Sequence, residues 1–170
     1  MKRPFALLGP VAAAMLATAA CASSSPYAAA PSAHASPAPT ASPVAVSPAQ
    51  TGTLIQVGAS RLGQILVDSN GRTVYLFVAD SGATSSCNSA ACVQYWPPVL
   101  TAGAPSAGAG ANAALLGTTQ RKDGTTQVTY AGHPLYYFIT DKKPGDVTGQ
   151  GIDGFGGPWY VVSPNGTRIQ

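Results

Sequence analysis

The chain has 170 residues, of which 45 % are hydrophobic and only 9 % charged, with a formal net charge of +3. From residue 51 onward there are three Lys, four Arg, six Asp and no Glu, so this part is close to neutral and two of the positive charges belong to Lys2 and Arg3. A near-neutral chain without basic runs lacks the electrostatic footprint of a nucleic-acid binder, and no nucleic-acid partner is expected.

Met1-Lys2-Arg3 followed by the apolar run from Phe5 to Ala20 has the layout of an export signal over residues 1–20, too short for a membrane-spanning helix. Small residues lead into Cys21, and Thr18-Ala19-Ala20-Cys21 resembles the bacterial lipobox, in which the cysteine becomes lipidated. Lipidation at Cys21 would anchor the mature protein to the outside of the cell membrane; the alternative is cleavage and release as a secreted protein. Residues 21–50 contain six Pro, ten Ala, seven Ser and no charged residue, too little large apolar surface to offset chain entropy. They read as a disordered tether, with a single β domain following over residues 51–170.

Within that domain the β-prone runs Thr53–Val57 and Gln64–Val67 come first, and Asn70-Gly71 marks a turn. Arg72 to Ala79 then reads as a strand apolar on both faces, with Tyr75 and Phe77 on one and Val74 and Leu76 on the other, hence a covered central strand. Val93 to Leu100 reads as a further strand carrying Trp96, limited by Pro97-Pro98 to an edge. Thr101 to Ala113 is a Gly/Ala/Pro-rich connection. Leu115–Arg121 and Thr125–Tyr130 flank Asp123-Gly124 as a hairpin, Ala131-Gly132 turns the chain, and Pro134–Thr140 forms a second strand of the Tyr75 type. A loop with six glycines from Lys142 to Pro158 precedes a last strand, Trp159–Ser163.

These runs repeat. Tyr75-Leu76-Phe77-Val78-Ala79-Asp80 and Tyr136-Tyr137-Phe138-Ile139-Thr140-Asp141 both read Tyr-x-Phe-x-x-Asp, sixty-one positions apart, and the same offset superposes Gly63 on Gly124, Val67 on Val128 and Gly71 on Gly132. One β-meander unit used twice is the simplest account. The expected fold is all-β: two tandem β-meander repeats, about 53–100 and 114–164, forming one compact antiparallel sandwich or small barrel. The paired motifs, together with Arg121-Lys122-Asp123-Gly124-Thr125-Thr126-Gln127-Val128-Thr129-Tyr130 and Gly156-Gly157-Pro158-Trp159-Tyr160-Val161-Val162, resemble the bacterial secreted-repeat lipoproteins. That resemblance implies an exported lipoprotein of unassigned function and brings no catalytic residue with it.

The side chains that could do chemistry each have a structural reading. Cys87 and Cys92 are expected to pair as a disulfide in an oxidising compartment, since Cys21 takes the lipid; the rival is an exposed redox dithiol. Asp80 and Asp141 could be a general acid and base, but each holds the same place in its repeat, just after a strand. A loop-capping role, accepting N–H bonds from the residues that follow, fits this repetition better. Tyr75, Phe77, Tyr136 and Phe138 are read with them as structural motif residues. Asp141, Asp146 and Asp153 lie in a glycine-rich loop that could wrap Ca²⁺, and His133 is the one histidine of the domain, yet neither has the spacing of a known metal site. Trp96 and Trp159 are candidates for an aromatic ligand surface. No cofactor and no catalytic residue are expected. The resulting expectation is a membrane-anchored, extracytoplasmic, non-catalytic binding module whose partner is an envelope protein or a glycan. A redox or metal-associated envelope protein is the first alternative and a hydrolase the second.

Overall fold

The computed structural model describes residues 51–170. The export signal, Cys21 and the tether therefore lie outside the described residues. No helix among the described residues is long and apolar enough to cross a membrane.

The regular structure of the domain is almost all short strands, linked by turns and loops. β1 (Leu54–Ser60) and β2 (Gly63–Asp68) form an antiparallel hairpin, and β4 (Ser106–Ala107) joins the free edge of β1 in parallel. β3 (Tyr75–Phe77) pairs with β9 (Gly157–Val161), which also pairs with β8 (Asp153–Gly154). β5 (Leu116–Gln120), β6 (Thr126–Tyr130) and β7 (His133–Pro134) make the third small sheet. Further backbone bonds tie the sheets together: Leu66 N–H of β2 donates to Val162 O just beyond β9 at 2.8 Å, and Val128 N–H of β6 donates to Val99 O of the segment after Trp96 at 2.8 Å. The class is all-β, as expected, although one strand pair is parallel.

The two-sided character of β3 is realised. Tyr75 and Phe77 enter one core cluster, with Trp96, Trp159, Tyr136 and Phe138, while Val74 and Leu76 enter a second with Ile55, Leu66, Val128 and Leu135. In the second repeat Tyr136 and Phe138 join the first cluster and Leu135 the second, so one alternation pattern serves both copies. Turns fall where glycine permits them. Ala131 and Gly132 both have positive φ, 50° and 79°, the signature of a two-residue hairpin turn between β6 and β7.

One expected strand is replaced. Residues 93–95 of the run Val93–Leu100 belong to α1 (Ala90–Tyr95), a short helix whose first turn is capped by Ser89, its Oγ accepting from Cys92 N–H at 3.2 Å. The Cys87–Cys92 disulfide closes over this turn with a Cα–Cα distance of 5.5 Å. Only from Trp96 onward is the chain extended, meeting its neighbours through isolated bridges at Pro98 and Leu100. Pro97 and Pro98 lack N–H groups, so a full ladder cannot form there. The long connection after residue 100 is also less irregular than expected, since it contributes β4 and a 3-10 turn at Ala113–Leu115.

Candidate functional site

The two motif strands meet at their tyrosines. Tyr75 N–H donates to Tyr136 O at 2.8 Å and Tyr136 N–H returns the bond to Tyr75 O at 3.0 Å. This reciprocal pair places the two repeats about a local pseudo-two-fold point, and the side chains obey it. Phe77, Trp159, Trp96 and Phe138 stack in one column. Successive centroid distances are 3.8, 4.0 and 4.2 Å, and the two indoles are nearly parallel at 4°. Tyr75 meets Trp96 edge-on at 5.3 Å, and Tyr136 meets Trp159 edge-on at 5.1 Å. Offset and edge-to-face packing of this kind stabilises by about 0.5–1.5 kcal/mol per pair beyond area burial.

The repeats exchange partners. β9, which carries Trp159 of the second repeat, pairs with β3 of the first, while the Trp96 segment of the first repeat bonds the second motif through Tyr137 N–H to Pro97 O and Ile139 N–H to Tyr95 O. The tyrosine hydroxyls cross in the same way. Tyr75 Oη donates to Asp141 Oδ2 at 2.6 Å, and Tyr136 Oη donates to Asp80 Oδ2 at 2.8 Å. The second oxygen of each carboxylate takes donors from the loop that follows it. Asp80 Oδ1 accepts from Ser86 N–H and Oγ, both at 2.8 Å, and Asp141 Oδ1 from Thr148 N–H at 2.9 Å and Oγ1 at 2.6 Å.

Burial sets the electrostatics. It pushes the Tyr75 and Tyr136 phenols far above their usual range, first by desolvation and then by the carboxylate each one faces, so both are neutral donors at any physiological pH. Desolvation also raises Asp80 above 3.8, against the opposing pull of its Ser86 and Tyr136 bonds. Asp146 moves the other way, held low by the backbone N–H groups of Lys142 and Lys143.

Trp96 and Trp159 are 1 % and 0 % exposed, which overturns their reading as a ligand surface. Each indole is covered on both faces by the column, so neither can stack on a ligand. Cys87 and Cys92 are buried and joined, so an exposed dithiol is likewise excluded from this structure. The metal candidates do not assemble. Asp141 takes Tyr75 and Thr148, Asp146 takes two backbone N–H groups, and His133 lies on β7; no group of three His, Cys, Asp or Glu side chains converges among the described residues.

Three features were not foreseen. Arg121, 5 % exposed, reaches into the first repeat, where it donates to Cys87 O at 2.7 Å and Ser85 Oγ at 3.0 Å, pinning the disulfide loop, while Gln127 Oε1 of its own repeat accepts from it at 2.6 Å. Tyr95 and Phe155 are 51 % and 46 % exposed, with centroids 6.2 Å apart, over a groove of 230 Å³ floored by Trp96 and Phe138 and edged by Asp153. Phe155 stands at φ 60° in the turn between β8 and β9, a conformation that costs an ordinary residue about 1–2 kcal/mol. Its position between Gly154 and Gly156-Gly157 was the available signal: an aromatic residue set in a glycine turn. Finally, each motif aspartate borders a cavity shared with the turn of the other repeat. Asp80 and His133 line one of 410 Å³, and Asp141 and Arg72 line one of 180 Å³.

The repeats correspond to a known family. The family model described as a secreted repeat of unknown function matches residues 57–100 and again 117–163, the two halves related by the pseudo-two-fold contacts. Neither a curated protein nor a solved structure matches the chain. The two matches together cover more than half the sequence, and the chain belongs to the family of secreted repeats of unknown function.

Proposed function

We propose that this protein is an extracytoplasmic binding module, tethered to the membrane through a lipid on Cys21, that holds an envelope glycan without converting it. Family membership supports an address outside the cell. The observation that carries the binding reading is Phe155, kept half-exposed in a backbone conformation where Gly or Asn would be relaxed. Backbone strain persists where the surrounding structure enforces it, commonly at ligand clamps. Here it presents a ring to solvent beside Tyr95. Two aromatic rings inclined at 38° with a carboxylate at the margin suit a sugar, whose apolar ring face can lie on the aromatics while a hydroxyl donates to Asp153. The groove is smaller than the roughly 300–1,000 Å³ of a site that encloses its ligand, and so favours one face of an extended chain.

The non-catalytic part of the reading is supported by the motif carboxylates. Each has both oxygens occupied by protein donors. The test is retention of the protein on purified cell-wall polysaccharide. Tyr95→Ser and Phe155→Asn should lose retention while keeping the fold, since Asn tolerates positive φ. Equal retention of both variants and wild type would refute the groove. Retention abolished by prior protease treatment of the wall would make the partner an envelope protein. For the anchor, Cys21→Ala should move the protein from the membrane fraction to the medium; an unchanged distribution would refute lipidation.

A further inference from the structure

The pseudo-symmetry makes the two cavities beside the motif aspartates a controlled comparison, because one backbone plan carries different side chains at equivalent places. In the 180 Å³ cavity beside Asp141 the other repeat supplies Arg72, whose guanidinium carbon lies 4.1 Å from the centre of the Tyr137 ring. Tyr137 Oη in turn donates to Asp68 Oδ2 at 3.1 Å, and Asp68 Oδ1 accepts from the N–H groups of Asn70 and Arg72, both at 2.9 Å. Arginine, tyrosine and aspartate thus fill and cross-link that side. Sixty-one residues along, or back, the same three positions are His133, Leu76 and Thr129. His133 and Leu76 are smaller than the Arg and Tyr they replace, Thr129 has no carboxylate, the cross-link is gone, and the cavity beside Asp80 is 410 Å³. A scaffold role alone would be served by the filled version, so the space on the Asp80 side needs another explanation.

Its lining describes a ligand. Leu76, Phe77 and Val78 give an apolar wall, and Val78 is 41 % exposed along it. Arg168 stands at the mouth with its guanidinium over the Tyr160 ring at 5.3 Å; its Nε and Nη2 donate to the Gln170 side-chain oxygen at 3.1 and 3.0 Å, and it forms no ion pair among the described residues, where the one salt bridge is Arg121–Asp123. His133 adds a second nitrogen base. The one acid, Asp80, has its oxygens turned to Ser86 and Tyr136 and is no partner for the arginine. An apolar wall with a guanidinium at its rim that has no acidic partner matches a compact apolar body bearing one carboxylate, which can take the fork in bidentate fashion in place of the exposed Gln170 amide. The volume falls within the roughly 300–1,000 Å³ of small-molecule sites.

We infer that the cavity bounded by Leu76, Val78, Asp80, His133 and Arg168 binds a small organic carboxylate with an apolar or aromatic body. This site is separate from the Tyr95–Phe155 groove and stands or falls independently of it. The test is titration of the nitrogen-15-labelled protein with phenylacetate, with phenylacetamide as the uncharged control. Saturable shifts are expected at the amides of Val78, His133 and Arg168, with the control weaker by roughly tenfold or more, the equivalent of one charge-assisted contact. Arg168→Gln, a substitution at an exposed position, should weaken phenylacetate by a similar factor. Absent shifts, equal binding of acid and amide, or unchanged binding by Arg168→Gln would overturn the assignment.

Discussion

Removing the hydroxyl of Tyr75 tests the crossed pairing with one atom. In Tyr75→Phe the ring keeps its contact with Trp96, but Asp141 Oδ2 loses a 2.6 Å donor and Gly149 N–H loses the 3.2 Å acceptor that the same oxygen supplied. A hydrogen bond to a charged group is worth about 1.5–3 kcal/mol, and a buried N–H left unpaired costs about 1–3 kcal/mol. Asp141 retains Thr148 on its other oxygen, which limits relaxation of the loop, so the expected loss is about 2–4 kcal/mol. For a domain of this size that lowers Tm by roughly 6–16 °C. The assay is urea unfolding of wild type, Tyr75→Phe, Asp141→Asn and the double variant. Because the two side chains share one bond, the cycle should show a coupling of about 1–2 kcal/mol. Additive single effects, or a Tyr75→Phe loss below about 0.5 kcal/mol, would refute the claim that the hydroxyl holds the second repeat's loop.

Four further outcomes follow from other contacts. Gly149→Ala would place a methyl 2.7 Å from the Trp96 ring and 3.0 Å from Phe138, and should destabilise by about 1–3 kcal/mol. Gly154→Ala meets nothing within 4 Å and should be neutral or slightly stabilising, both read by thermal melting. Removal of the disulfide by Cys87→Ala with Cys92→Ala should lower stability by about 2 kcal/mol on the chain-entropy account of so short a loop, with denaturant midpoints as the readout. Asp80 has a folded-state pKa above its unfolded value of 3.8, so its contribution is full below 3.8 and is lost as the pH climbs through the raised value. Asp80→Asn should flatten that fall in a stability–pH profile, and an unchanged profile would contradict the burial of this carboxylate.

Local structure was legible wherever one residue's neighbours decide it. The alternation in β3 predicted burial on both faces because a period of two admits only one arrangement of Tyr75, Phe77, Val74 and Leu76. Asp123-Gly124 and Ala131-Gly132 marked their turns through backbone tolerance. The capping of following loops by Asp80 and Asp141 was likewise readable from their recurrence after a strand. The partner exchange was not. An offset of sixty-one residues is equally consistent with each Tyr meeting the Asp of its own motif, and only the tertiary path decides that Tyr75 meets Asp141. The same path hides both indoles, since Trp96 and Trp159 cover each other across the repeats rather than lying on one surface. α1 was missed because Val93 and Tyr95 alternate like a strand, while the Ser89 cap and the disulfide, both local, bend Ala90–Tyr95 into a turn and a half of helix. The glycines around Phe155 mark its turn but not its exposure, and Arg168 carries no pattern at all; exposure and cavity shape are properties of the assembled chain.

Cutting the chain in the connection between the repeats tests the interlocked architecture most directly. Residues 51–111 and 112–170 would be prepared separately, and the near-ultraviolet circular dichroism of the stacked indoles followed for each and for the mixture. With Trp96 bonded into the second motif and Trp159 into the first, each fragment alone should lack the native signal and the equimolar mixture should recover it. A native-like signal with cooperative unfolding from either fragment alone would contradict the exchange of strands on which the rest of the structure depends.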